Sequence, residues 1–238
     1  MNDTIETIEY RGFDINIKID EDALDPTKEF DMEGTIISWS HYKNFSWGHK
    51  YFYNSAEALY ELLMENNYLE QMEEDYNYNY TENHFVDEYC EQLKHRIIAL
   101  DIVGFITTQG SHIYTREARF NFNDEHQIGL IYVPIGDWKT KNWNPKVEEK
   151  DRILRCMEAD VKIYNAYLNG EVYGYQIEPK DNNRLGCDDS CWGFYGDYEE
   201  SGLLEEAKSS IDFTIKEYRE EAKERNLLNK FMNKYWAY

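Results

Sequence analysis

The chain of 238 residues has 47 acidic and 25 basic side chains, a formal charge of −22, while 42 % of its residues are hydrophobic and 16 % aromatic. That apolar content excludes a wholly disordered chain, because it can offset the entropy lost on folding. The charge argues against direct binding to nucleic acid, whose affinity comes from Lys and Arg at the phosphates. It favours a basic partner instead.

The sequence also indicates in which cellular compartment the protein is expected. No stretch approaches the ~18 apolar residues of a membrane span, and the N-terminus lacks the basic and apolar regions of a signal peptide. The four cysteines are too few for a disulfide scaffold, which is typical of a reducing environment. We therefore expect a cytoplasmic protein without membrane contact.

The first predicted element is a β-hairpin over residues 6–20, because isoleucines alternate on one face after a turn at Arg11-Gly12. An acidic loop over 20–31 and a strand over 34–39 are expected next. Ser55 is the predicted N-cap of a helix over 56–66, whose leucines and glutamates occupy opposite faces.

Apolar residues at a spacing of three and four predict a second helix over 85–100. Three strands are then expected, at 102–108, 112–120 and 127–133. The same spacing continues from Ile153 to Leu168 and predicts a long helix that ends at Asn169-Gly170.

A strand pair over 171–178 and 191–195 and a C-terminal helix from Leu204 to Ala222 complete the prediction. Strands in groups between helices, without strict alternation, favour an α+β fold with mainly antiparallel sheets and three to four helices. We expect one domain over 1–238, with a possible sub-boundary near 100–110.

The negative charge is unevenly distributed along the chain. Residues 1–100 carry a net charge of −15 and residues 101–238 carry −7. Within the first part, residues 51–93 contain 11 acidic residues and 8 tyrosines but no Lys or Arg. This segment is the strongest functional signal in the sequence.

A row of carboxylates in this segment suggests mimicry of nucleic-acid phosphates. Glu57, Glu61 and Glu65 advance about 6 Å per step along a helix, close to two ~3.4 Å steps of one DNA strand. Like charges one turn apart disfavour an isolated helix, so helix stability alone does not explain the row. The predicted partner-binding residues are Glu57, Glu61, Glu65, Glu70, Glu73, Glu74, Asp75, Tyr76, Tyr78 and Tyr80.

An ordinary solvated helix face that happens to be acidic is the structural alternative. The run from Tyr76 to Tyr80 is equally consistent with a strand edge or a loop whose rings cover the core. Tyr supplies contact area at low entropic cost, which suits an interface as well as packing.

Signals for catalysis or metal binding are weak. Cys187 and Cys191 are separated by three residues, where structural zinc sites use two, and two further ligands are lacking. The segment from Asp181 to Gly186 resembles the start of a calcium loop, but Trp192 occupies the position of the bidentate Glu. We expect no catalytic, cofactor-binding or metal site, and no enzyme.

Two segments of the C-terminal half form a recognisable pattern, Gly170-Glu-Val-Tyr-Gly-Tyr-Gln-Ile177 and Asp189-Ser-Cys-Trp-Gly-Phe-Tyr-Gly196. In them the chain resembles a family of small acidic proteins of bacteriophages and mobile elements. Gln127-Ile-Gly-Leu-Ile-Tyr-Val133 is similar to a further segment of that family. The resemblance implies a phage or mobile-element origin and brings no catalytic residues to carry over. The rings and glycines of the second segment suit a packed strand, with a surface epitope as the alternative.

Taken together, these features predict a phage-type anti-defence inhibitor in the cytoplasm of a host cell. It would bind a basic, nucleic-acid-targeting defence protein, of the restriction or CRISPR kind, through an acidic surface that mimics DNA. The alternatives are a binding module that uses a Tyr/Trp-rich surface without mimicry and, third, a small enzyme.

Overall fold

The computed structural model describes residues 4–39, 47–65, 90, 93–95, 97–107, 110–120, 122, 124, 126–135, 146–180 and 188–235. The chain divides into two compact units. The terminal unit comprises Met1–Ala23 and Gly170–Tyr238, and the central unit comprises Leu24–Asn169.

The described part contains two mostly antiparallel sheets and four helices, which confirms the predicted α+β class. The strands are β1 (Thr4–Tyr10), β2 (Phe13–Ile19), β3 (Thr35–Trp39), β4 (Lys50–Phe52), β5 (Ile97–Thr107), β6 (Gly110–Glu117), β7 (Gln127–Pro134), β8 (Val172–Pro179) and β9 (Ser190–Tyr195). The helices are α1 (Pro26–Glu29), α2 (Ser55–Glu65), α3 (Val147–Leu168) and α4 (Leu203–Tyr235).

The terminal unit is a four-stranded antiparallel sheet in the order β1-β2-β8-β9 with α4 on one face. Its predicted hairpin is confirmed: Arg11 and Gly12 both have positive φ, 51° and 84°, as a two-residue turn between twisted strands requires. The buried core between sheet and helix consists of Phe13, Ile15, Ile17, Tyr175, Ile177, Leu203, Ala207, Ile211 and Ile215.

The central unit is a five-stranded sheet in the order β4-β3-β7-β5-β6, covered on both faces. Among the described strands of this sheet, only β3 and β4 pair in parallel; the other neighbours are antiparallel. Side chains alternate between the two faces along β3, so Ile37 packs with the leucines of α2 and Ile36 packs with α3. Both faces are therefore buried, which explains the nearly continuous apolar runs of β3, β5 and β7.

Two sequence predictions need correction. The predicted helix over 85–100 is wrong at its C-terminal end, because Ile97 begins β5; residues 85–89 lie outside the described part. Ile97 and Ala99 pair with Pro134 and Tyr132 of β7, and burial on both faces overrides the helical spacing. The predicted acidic loop contains the short helix α1, with Asp25 as its N-cap.

The last helix, α4, extends beyond its core contacts. Its buried stripe ends at Ile215, and the side chains of residues 216–227 are exposed except for the half-buried Ala222. Among the described residues, no helix combines the length and apolar character that crossing a membrane requires.

Candidate functional site

The predicted acidic helix begins at Ser55, but its cap is Asn54 and not Ser55 as predicted. The Asn54 side-chain oxygen accepts a hydrogen bond from the Glu57 backbone N–H at 2.9 Å. The Glu57 carboxylate reaches back and accepts the Tyr53 backbone N–H at 3.0 Å. This reciprocal pair resembles a capping box and gives Glu57 a local role in starting α2.

One side of α2 is buried and the other carries its carboxylates. Leu59, Leu62 and Leu63 pack into the core, while Glu57 is exposed. The Glu61 carboxylate lies 3.3 Å from the Lys50 ammonium group of β4, and both side chains are about one-third exposed, at 38 % and 35 %. The absence of Lys and Arg from residues 51–93 therefore does not leave Glu61 unpaired, because Lys50 immediately precedes that segment.

The structure places only part of the predicted site. Glu65 is the last residue of α2, and its side chain lies outside the described part. The remaining predicted residues, Glu70, Glu73, Glu74, Asp75, Tyr76, Tyr78 and Tyr80, also lie outside it. Glu57 and Glu61 are thus the predicted carboxylates whose positions are known, one helical turn apart on the solvent side of α2.

Sequence reasoning missed a buried ionic network in the central sheet. The Asp101 side chain is fully buried and accepts hydrogen bonds from Gln127 Nε2 (2.9 Å), Arg116 Nε (3.2 Å) and the Arg119 backbone N–H (3.2 Å). Arg116 also donates from Nη2 to Asp124 at 2.6 Å. The signal in the sequence was a lone acidic residue within the apolar run of β5.

The electrostatics of this network are those of a buried ion pair. Burial raises the pKa of Asp101, and the hydrogen bonds from Arg119 and Arg116 oppose that rise. Gln127 Oε1 is buried and has no hydrogen-bond partner among the described residues. The network ties β5, β6 and the start of β7 together, and we assign it a structural role because its carboxylate is sealed from solvent.

Two further titratable side chains form hydrogen bonds with the backbone near the start of β4. His49 Nδ1 accepts the backbone N–H of Ile36 at 2.9 Å, and loss of water around the ring lowers the pKa of His49. The Tyr164 hydroxyl of α3 accepts the backbone N–H of Gly48 at 2.8 Å, and burial raises its pKa to about 12. Both groups act here as hydrogen-bond acceptors for backbone amides.

The two patterned segments of the C-terminal half form β8 and β9 and pack against each other. Cys191 and Phe194 both contact the α4 core, because an irregularity in the pairing, with Gly193 at a φ of 86°, adds a residue between them. Trp192 lies on the other face, over Gly174. The second segment therefore combines a packed strand with one exposed ring.

Within the described part, no group of three or more His, Cys, Asp or Glu side chains is arranged to hold a metal ion. Cys187 lies outside that part. Comparison with known proteins found no matching family model, no matching curated protein and no matching solved structure.

Proposed function

We propose that this protein is an anti-defence inhibitor that binds a basic, nucleic-acid-targeting host protein of the restriction or CRISPR kind. Its carboxylates would occupy the cleft that otherwise holds DNA or RNA. The observation that carries the proposal is the density of negative charge: 11 acidic residues and no Lys or Arg over residues 51–93, in a chain of net charge −22.

The described part of that segment supports an electrostatic role. α2 buries its leucines and directs Glu57 and Glu61 outward, so two carboxylates lie about 6 Å apart along the helix axis. Glu61 is paired with Lys50 at a partly exposed site. Such pairs are worth little, about 0–1 kcal/mol, and a guanidinium or ammonium group of a partner can replace Lys50 at small cost.

The experiment replaces Glu57, Glu61 and Glu65 with Gln. The amide that replaces the Glu57 carboxylate retains an oxygen for the Tyr53 N–H, and the substitution at Glu61 removes only the partly exposed pair with Lys50. The melting temperature should therefore change little. We expect weaker capture of a basic protein from host lysate and weaker competition with nucleic acid for that protein.

A matched control removes the same charge elsewhere. Glu217, Glu220 and Glu224 are exposed on the part of α4 beyond its core contacts, and their replacement with Gln also raises the net charge by three. If both triple variants lose binding equally, only the total charge matters and α2 is not the interface. Undiminished binding by the α2 variant would remove α2 from the proposal.

The response to salt provides a second measurement. Association driven by exposed carboxylates should slow steeply with rising ionic strength, because such charges are screened beyond ~8 Å at physiological salt. An association rate that is the same in low and high salt would contradict the mimicry proposal.

One observation favours the second candidate, a binding module that does not rely on mimicry. Trp192 is 42 % exposed on a sheet face that α4 does not cover. Exposed tryptophans are frequent anchors of protein interfaces. In that case partner binding would depend on Trp192 and persist at high salt.

A further inference from the structure

The terminal sheet has a second face, opposite α4, which we call the outer face. Strand register places its side chains in rows across the sheet, because residues on one face alternate with those facing the helix. The rows begin with Glu9, Asp14 and Glu178, followed by Thr7, Asn16, Gln176 and Ser190. Lys18 and Gly174 come next, with Trp192 over Gly174, and the last row is Tyr195 and the buried Val172. The outer face thus has an acidic end, a polar middle that includes the Lys18 ammonium group, and an aromatic end.

Hydrogen bonds fix the middle of the outer face. Thr7 Oγ1 donates to Asn16 Oδ1 at 2.8 Å, and Lys18 Nζ donates to Gln176 Oε1 at 2.6 Å. The Lys18 ammonium group is therefore directed toward the amide row. These bonds order the polar side chains before any ligand arrives, which reduces the entropy cost of binding.

The aromatic end is a flat platform. A methyl group placed on Gly174 would lie 2.3 Å from Trp192 Cε3 and 2.5 Å from Cδ2, so the indole lies directly over the Gly174 backbone. One ring face packs on the sheet, and 42 % of the residue is nevertheless exposed. The other ring face is therefore presented to solvent, ready to stack with a planar group.

At the acidic end, Lys180 pairs with Glu9 and with Asp14, the latter at 3.6 Å. Glu178 is exposed, and no described residue pairs with its carboxylate. Gly174 and Glu178 are four residues apart on β8, which corresponds to about 13 Å along a strand. An extended peptide lying along β8 spans the same distance between side chains at positions i and i+4.

We propose that the outer face binds an extended, arginine-bearing segment of a basic protein, with one guanidinium stacked on Trp192 and a second basic side chain at Glu178. Arginine is favoured over lysine because its planar guanidinium stacks on an aromatic ring. A nucleic-acid base would stack equally well, but the net charge of −22 and the acidic row oppose its phosphates. This proposal does not depend on the carboxylates of α2.

The test uses the full-length protein and two peptides of equal charge in a Gly/Ser background. One carries arginines at positions i and i+4, and the other carries lysines there. Calorimetry at low salt should give a preference of about 2- to 5-fold for the arginine peptide, the range expected of an exposed cation–π contact. The indole N–H signal of Trp192 in NMR spectra should shift with the arginine peptide.

Variants locate the contact. Trp192→Leu, which leaves the charge unchanged, should abolish the arginine preference and leave the weaker binding that lysine shows. Trp192→Phe keeps a smaller ring and should retain part of the preference, which separates loss of stacking from loss of folding. Glu178→Gln should weaken binding of both peptides alike. Phe105→Leu is the matched control, because Phe105 is 57 % exposed in the central unit and its loss should change nothing.

Three results would overturn the proposal. The first is equal affinity of the wild-type protein for both peptides, and the second is an arginine preference that survives in a folded Trp192→Leu variant. The third is a single-stranded oligonucleotide that shifts the Trp192 signal at a lower concentration than the arginine peptide does. That last result would make the outer face a nucleic-acid platform.

Discussion

Replacing the buried Asp101 with Asn should cost little stability, whereas replacing it with Ala should cost much more. In the wild-type protein one Asp101 oxygen accepts Gln127 Nε2, and the other accepts Arg116 Nε and the Arg119 N–H. Asn keeps an oxygen for Arg116 and Arg119 if its NH₂ group faces Gln127. A rotation of the Gln127 amide then offers the unpartnered Oε1 to the Asn NH₂ group, at the cost of the weak bond from Gln127 Nε2 to the Gly129 carbonyl at 3.4 Å.

The magnitudes follow from this geometry. With Asn, the hydrogen bonds that join this side chain to Gln127 and to the Arg119 N–H fall from about 1.5–3 kcal/mol, the worth of a bond to a charged group, to about 1 kcal/mol, the worth of a neutral one. Removal of the buried charge, whose desolvation raises the pKa of Asp101, offsets part of that loss. Arg116 also keeps Asp124. We expect a net cost of about 1–2 kcal/mol for Asn and about 3–5 kcal/mol for Ala, which removes the carboxylate that accepts from three donors.

Urea unfolding monitored through hydrogen exchange of the β5 and β6 amides measures the stability of the central unit separately from that of the terminal unit. In a Gln127→Met background Asp101 has already lost the charged hydrogen bond from Gln127 Nε2. Asp101→Asn should therefore cost about 1 kcal/mol less there than in wild type. Equal destabilisation by Asn and Ala would refute this account of the Asp101 network, and so would additive effects of the two substitutions in the double variant.

Three further substitutions test contacts in both units. His49→Asn keeps an acceptor for the backbone amide of β3. Folding lowers the pKa of His49 below 6.5, so the stability of the wild-type protein should fall as the pH drops below that value. The melting temperature of the variant should therefore depend less on pH between 5 and 7. An equal change of melting temperature with pH in both proteins would contradict this. Gly174→Ala would place its methyl 2.3 Å from Trp192, so unfolding of the terminal unit should become easier by about 1–3 kcal/mol; an unchanged midpoint would show that the ring is free to move. Asn169→Leu removes two hydrogen bonds to the backbone N–H and C=O of Ser111, at 2.7 and 3.0 Å, so a thermal melt should show a loss of about 1–3 kcal/mol; a loss within experimental error would mean that water replaces the amide.

Local patterns in the sequence predicted much of the secondary structure. Alternating isoleucines and the Arg11-Gly12 turn predicted β1 and β2, and the apolar spacing up to Leu168 predicted α3 with its end at Asn169-Gly170. These signals are reliable because each periodicity specifies which face is buried, whatever element covers it.

Pairing between distant segments decided the elements that the sequence did not reveal. Ile97 belongs to a strand because β7 lies beside it, and the three residues of β4 are a strand because β3 pairs with them in parallel. Such short or apolar runs have no period of their own. Their conformation depends on a neighbour far away in the chain.

The sequence by itself determined the charge of the protein, the acidic segment and the outward direction of the α2 carboxylates. Only the tertiary structure paired Glu61 with Lys50, buried Asp101 beside Arg116 and placed Trp192 over Gly174. Charge and periodicity depend on residue type and on neighbours in sequence, so one chain is enough to read them. Ion pairs and stacked rings depend on strand register and helix placement, which are fixed only when the whole sheet has formed.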